Sequence, residues 1–267
     1  IVAGTDTHLA SPGMVDERTH PGHGGGGSPA NVRVPPGLPD VVQYNPGGLT
    51  ALWAEENSRD ALFAAMRRRE AYGTSGPRIE TRFFGGWGYA SDLCDRADFV
   101  EQAYAGGTPM GGDLPDAETP DAAPTFVAWA KKDAGTIERP GTPLQRLQII
   151  KGWLDGDTTH ERVFDVAGDP NNDASVDEAT CEARGAGFDT LCTVWSDADF
   201  DSDQPAFYYL RVVENPTCRW TTWTCNAAGV DCADPSTIGD GLDGCCDSRS
   251  SRTIHERAWT SPIWFEP

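Results

Sequence analysis

Arg78-Ile79-Glu80-Thr81-Arg82-Phe83 alternates, with Ile79, Thr81 and Phe83 on one side and Glu80 and Arg82 on the other. Successive side chains of a strand point to opposite faces, so this period of two predicts a half-exposed strand. Downstream, the segments Thr125–Lys131, Leu144–Leu154, Arg162–Ala167, Leu191–Trp195, Ala206–Val213 and Trp259–Phe265 are also strand-like. Turn-rich stretches separate them, including a Pro-, Gly- and Asp-rich linker at 108–124, and the pattern predicts an antiparallel sandwich. A short helix is expected near Asp98–Ala105, capped by Asp98 and stopped by Gly106-Gly107.

Upstream the pattern is different. Ala61, Leu62, Ala65 and Met66 form one apolar face at helical spacing, with Asn57 as cap, Asp60 three residues later and Arg67–Arg69 in the last turn. Residues 9–48 read as a long loop with four consecutive glycines, Gly24 to Gly27, and Pro35-Pro36. Loops of that length in a compact domain are usually functional or disordered. Ile1-Val2-Ala3-Gly4 reads as a buried strand ending on the polar tip Thr5-Asp6-Thr7-His8, and as the continuation of an upstream portion.

With 41 acidic against 21 basic residues, the net charge is -20 and disfavours nucleic-acid partners. No apolar run reaches the length of a membrane-spanning helix. Seven of the eight cysteines follow residue 180 without a C-x-x-C pair, which favours disulfides over a zinc ribbon and points to the periplasm or cell exterior. Short-range pairings are expected: Cys181–Cys192, Cys218–Cys225, and Cys232 with Cys245 or Cys246.

Several groups are candidates for chemistry. Asp6 and His8, at i and i+2, offer a carboxylate and an imidazole that suit Zn, Mn or Fe. His20 and His23 sit beside the glycine run and are candidates for metal or substrate, next to the plainer reading of a surface loop. Ser75 and Arg78 are candidate substrate-binding groups, Arg78 for an anion; a simple turn explains them as well. Asp169, Asn171, Asp173, Ser175 and Asp177 alternate as in an EF-hand, but Ala174 and Thr180 occupy the positions that need Gly and Glu, so calcium ranks below solvated turns. A serine-hydrolase reading fails, because Ser75 lacks the G-x-S-x-G elbow.

Five phrases occur in order: GTDTHLASPG, ALWAEENSRDALFAAMRRREAYGTSGPRIETRFFGGW, LQIIKGW, QPAFYYLRVVENPTCRW and ERAWTSPIWF. Together they resemble the C-terminal half of DUF3604, a PHP-like (polymerase and histidinol phosphatase) family. The resemblance implies an α/β plus β architecture. Residues 1–80 would close a distorted PHP-type β/α barrel, and 81–267 would form a β-rich, disulfide-containing region.

It also implies a metal-dependent hydrolase, a phosphoesterase by default, with Asp6 and His8 as metal ligands and catalytic groups. Ser75, Arg78 and His23 would then contact a small anionic or ester substrate. Two or three divalent ions are expected in the parent protein, with the remaining ligands on a barrel segment upstream of Ile1, so this stretch alone is expected to hold metal weakly and to be inactive. The contrasting expectation is a non-catalytic glycan- or protein-binding module with a vestigial Asp-x-His.

Overall fold

The computed structural model describes residues 1–8, 10, 13–24, 37–117, 119 and 122–267. In chain order the elements are β1 (Leu49–Leu52), α1 (Arg59–Arg68), β2 (Ala71–Thr74), β3 (Glu80–Gly86), α2 (Phe99–Ala105), β4 (Gly107–Pro109), β5 (Thr125–Lys131), β6 (Leu144–Asp155) and β7 (Thr158–Gly168). They continue with β8 (Ser175–Val176), β9 (Ala183–Arg184), β10 (Thr190–Ser196), β11 (Ala206–Cys218), α3 (Trp220–Ala227), β12 (Thr253–Thr260) and β13 (Ile263–Phe265).

Two antiparallel sheets carry the core. The larger runs β1-β2-β12-β11-β6-β7, with β13 also paired to β11; the smaller runs β10-β5-β3-β4. Alternation explains their facing. On β11 Tyr208, Leu210 and Val212 are buried, while Phe207, Tyr209 and Arg211 are half-exposed on the other face. Their core-side partners are Leu147 and Ile149 of β6, and Phe83, Phe126, Ala128 and Ala130 of the smaller sheet. Phe126 stacks on Phe83 at 5.4 Å and meets Tyr208 at 4.4 Å. Burying each such large apolar side chain contributes about 1.5–3 kcal/mol. Phe84, on the opposite face of β3, is buried as well, in a second cluster with Leu93, Ala103 and Val127.

A buried ion pair lies within the sandwich. Lys151 Nζ donates to Asp197 Oδ2 at 2.5 Å and to the Asp199 carbonyl at 2.9 Å, and the Tyr208 hydroxyl donates to the same Asp197 oxygen at 2.6 Å. All three side chains are buried. Asp199 N donates to the other Asp197 oxygen at 3.1 Å, so both carboxylate oxygens are hydrogen-bonded, as a buried ion pair requires.

The expected barrel remnant is absent. A β/α barrel needs parallel strands, each followed by a crossover helix. Here β1 pairs directly and antiparallel with β2, so α1 is an excursion between two hairpin strands. Residues 1–8 form no strand: the run breaks at Asp6, whose φ is 52°. The segment is tied down by single bonds instead. Ala3 N donates to Thr50 Oγ1 at 2.8 Å, Gly48 N to the Gly4 carbonyl at 2.9 Å, and the Ile1 ammonium to Ser261 Oγ at 2.6 Å. β2 also pairs with β12, so the early strands complete the same sheet as the late ones.

The helix α1 is capped by Ser58, not Asn57: Ser58 Oγ accepts from Ala61 N at 3.3 Å. Its C-terminus closes on Arg69 in the left-handed region, φ 61°. Disulfides join Cys94–Cys192, Cys181–Cys218, Cys225–Cys245 and Cys232–Cys246. The expected Cys181–Cys192 and Cys218–Cys225 bonds do not form. Sheet pairing brings distant segments together, so Cys181 meets the end of β11 with a Cα separation of 5.6 Å, within the usual range for a disulfide. No cysteine is free. Among the described residues no helix is long and apolar enough to cross a membrane.

Candidate metal centre

Three irregular segments meet at one end of the larger sheet. The first is a short 3-10 turn, Glu17–Thr19, capped by Asp16, whose Oδ1 accepts from Arg18 N at 2.8 Å. It delivers His20 to the interior, with a side chain only 2% exposed. Pro21-Gly22 then turns the chain so that His23 follows. Gly22 has φ +82°, and a Cβ there would stand 2.4 Å from the Pro39 carbonyl oxygen, so the backbones of 20–23 and 39–40 approach as only glycine permits.

That approach brings Asp40 between the two histidines. Its Oδ2 accepts from His23 N at 3.1 Å, makes a short contact with His23 Nδ1, and lies 3.5 Å from His20 Nε2. Val41 N donates to the other oxygen at 2.8 Å. One ligand atom from each of His20, His23 and Asp40 can be chosen so that all lie within 4.8 Å of one another. The rings are 5.2 Å apart, and His20 is further fixed against Trp220 at 5.1 Å and His23 against Tyr44 at 5.9 Å.

The third segment is the amino-terminal stretch. Gly47, φ +87°, admits Thr5 so closely that a Cβ would lie 2.4 Å from the Thr5 Cα. His8 N donates to the His23 carbonyl at 2.8 Å. Together these contacts wall a cleft of about 760 Å³, lined in part by Asp6, His8, His23, Asp40, Gln43 and Tyr44. Asp6 and His8 are exposed at this cleft.

The electrostatics suit a cation. Burial, then the neighbouring His23, holds the His20 imidazole below its ordinary pKa, against the opposing pull of Asp40. It therefore stays neutral, the form that binds metal. Burial alone would raise the Asp40 carboxyl. The hydrogen bonds from Val41 and from the ring and backbone of His23 outweigh it and keep Asp40 below the usual carboxylate range. Among the described residues neither ring nitrogen of His20 has a well-formed hydrogen bond, although Asp40 Oδ2 lies 3.5 Å from Nε2. A buried imidazole without a well-formed hydrogen bond is costly, and a metal ion at Nε2 would satisfy that nitrogen. Two imidazoles and a carboxylate are a donor set that Zn, Mn and Fe accept.

The family model described as a protein of unknown function, DUF3604, matches residues 1–267. The chain belongs to the DUF3604 family. No curated protein and no solved structure matches it.

In this DUF3604 chain the residues singled out from sequence separate into two groups. Asp6, His8 and His23 share the cleft. Ser75 and Arg78 are not among its described lining residues: the Ser75 hydroxyl donates to Glu256, and Arg78 N donates to Asp133 Oδ2 at 2.7 Å. The acidic run at 169–177 is engaged locally, Asp169 accepting from Asn171 N at 2.8 Å and Asp177 pairing with Arg184 at 2.6 Å. Of the glycine run, Gly24 lines the cleft, while Gly25 to Gly27, like Pro35-Pro36, lie outside the described residues. Asp40 was not singled out. Nothing in its spacing from His23 marks it, and the only local signal is the turn-forming Gly37-Leu38-Pro39 before it.

Proposed function

We propose that this DUF3604 chain carries a centre for a divalent transition metal at His20, His23 and Asp40, and that the adjoining cleft hydrolyses a small ester, with phosphoesters the leading class. The observation behind this reading is the convergence of His20, His23 and Asp40, of which His23 and Asp40 line an open cleft while the His20 side chain is buried beside them. A divalent ion there supplies Lewis acidity and makes water nucleophilic near neutral pH.

The residues around it have separable roles. Asp6 and His8, exposed at the rim, are positioned to take a proton from water or to complete the ligand set. Thr5, Gln43 and Asn45 line the cleft with neutral hydrogen-bonding groups for substrate oxygens. Among the described lining residues there is no Lys or Arg, so an anionic ester depends on the cation for charge balance. The relationship to the PHP superfamily, carried by Asp6-Thr7-His8, belongs to this proposal as metal chemistry and not as a barrel. Four disulfides with no free cysteine support an extracytoplasmic setting.

The test is hydrolysis of p-nitrophenyl phosphate and p-nitrophenyl acetate by the chain loaded with Zn or Mn, beside His23→Ala and Asp6→Asn. The reading expects metal-dependent turnover that falls at least about 100-fold in His23→Ala. Equal rates in wild type and His23→Ala would end it.

A second reading rests on the outer face of the larger sheet. Phe207 and Tyr209 lie nearly parallel, 14° apart at 6.4 Å, and Phe207 meets the 40% exposed Trp264 at 5.3 Å. Flat aromatic groups of this kind suit stacking on sugar rings. On that reading the chain is a glycan-binding module, and Trp264→Ala lowers retention on a polysaccharide column while metal uptake is unaffected.

A further inference from the structure

Cys218-Arg219-Trp220, where β11 passes into α3, touches both segments that deliver the metal-binding side chains. Arg219 is 8% exposed, and its guanidinium donates to the Val42 carbonyl at 3.2 Å and to the Tyr44 carbonyl at 2.6 Å. Trp220 Nε1 donates to the same Tyr44 carbonyl at 2.8 Å. Its indole lies against His20, and its backbone N–H donates to the Glu17 carboxylate at the start of the turn that carries His20.

The junction is itself anchored. Cys218 is bonded to Cys181, and Arg219 N donates to the Arg252 carbonyl at 3.0 Å. Segments 17–20 and 40–44 belong to no strand and have no ladder bonds to hold them. The rigid sheet reaches them through these two residues.

We propose that Arg219 and Trp220 are the positioning residues of the His20–His23–Asp40 centre: Arg219 fixes the Asp40 loop, and Trp220 fixes the His20 ring and seals the loop's far end. The proposal rests on the metal reading above. Groups that orient metal ligands from behind typically change affinity about 10- to 100-fold when removed.

The test uses Arg219→Met, Arg219→Lys and Trp220→Phe in the whole chain; Trp220→Phe replaces the indole against His20 by a smaller ring and removes its donor to the Tyr44 carbonyl. Two readouts are taken: the imidazole ¹⁵N resonances of His20 and His23 without metal, and cobalt(II) titration followed by its visible absorption. Arg219→Met is expected to move the His23 resonances and weaken cobalt binding about 10- to 100-fold. Arg219→Lys should recover part of both, and Trp220→Phe should move mainly His20. Imidazole resonances unmoved in Arg219→Met and Trp220→Phe, with only a lower melting temperature, overturn the positioning role whatever the cobalt titration gives. A wild-type chain that takes up no cobalt, with resonances that still respond to the variants, overturns the metal reading instead.

Discussion

Glu256 sits buried on β12, accepting a hydrogen bond from the Ser75 hydroxyl. Burial pushes its carboxyl up to about 8, the Ser75 bond opposes this, and Glu17 adds to it. Glu17 is itself raised to about 7, chiefly by burial, and Glu214 is raised in the same direction for the same reason. An acid with a raised folded-state pKa holds its proton in the native state after the unfolded chain has lost it. Its contribution is complete below the ordinary value of 4.5 and is lost as pH rises through the folded value. Melting temperature should therefore fall between about pH 5 and pH 8, and Glu256→Gln should flatten the profile and exceed wild type at pH 8 by on the order of 2 kcal/mol. Parallel profiles for the two proteins would contradict the assignment. Gly22 offers a second residue-scale test. Gly22→Ala places a Cβ against the Pro39 carbonyl at φ +82°, and is expected to cost about 1–3 kcal/mol and to weaken metal uptake, both read by thermal unfolding with and without zinc. At this scale the sequence displayed His20 and His23 as a pair beside a glycine run. It hid Asp40, because the contact depends on two loop backbones touching at Gly22 and Pro39.

Strand-like stretches bounded by turn-rich segments were legible: Thr125–Lys131 is β5 to the residue, and Leu144–Leu154, Leu191–Trp195 and Ala206–Val213 fall within β6, β10 and β11. β1 and β2 were not, since Leu49–Leu52 and Ala71–Thr74 are four-residue apolar or small-residue stretches without period, next to a helix that dominates the local pattern. Of the expected disulfides Cys232–Cys246 forms, and the others were misread for a related reason. Cys94 and Cys192 are separated by 98 residues and meet only after β3, β5 and β10 have paired. Closing so long a loop should matter to stability: Cys94→Ser with Cys192→Ser is expected to cost about 2–4 kcal/mol in denaturant unfolding. The link among β6, the segment after β10, and β11 makes a sharper prediction. Lys151→Met leaves the Asp197 carboxylate buried without its cation and should cost about 3–5 kcal/mol. A loss below about 1 kcal/mol would show that the pair contributes little beyond filling space.

At the scale of the whole molecule, the strand-rich character followed from the sequence, whereas the topology did not. An apolar strand-like start followed by a capped helix resembles the end of a barrel, and only long-range pairing of β2 with β12 shows that the amino-terminal part completes an antiparallel sandwich. The surplus of acidic residues, 41 against 21, implies self-repulsion in the folded state. Stability should rise as salt is increased from about 10 mM to 150 mM, over which the screening length falls from about 30 Å to 8 Å; a salt-independent melting temperature would count against this. His20, His23 and Asp40 are proposed to form a metal centre within this chain. Calorimetric titration of the chain with zinc at pH 7.5, beside His23→Ala and Asp40→Ala, tests it most directly. Wild type is expected to bind one ion per chain, with at least about a 100-fold weaker affinity in each variant; no saturable binding by wild type, or equal binding by all three proteins, would rule out the centre.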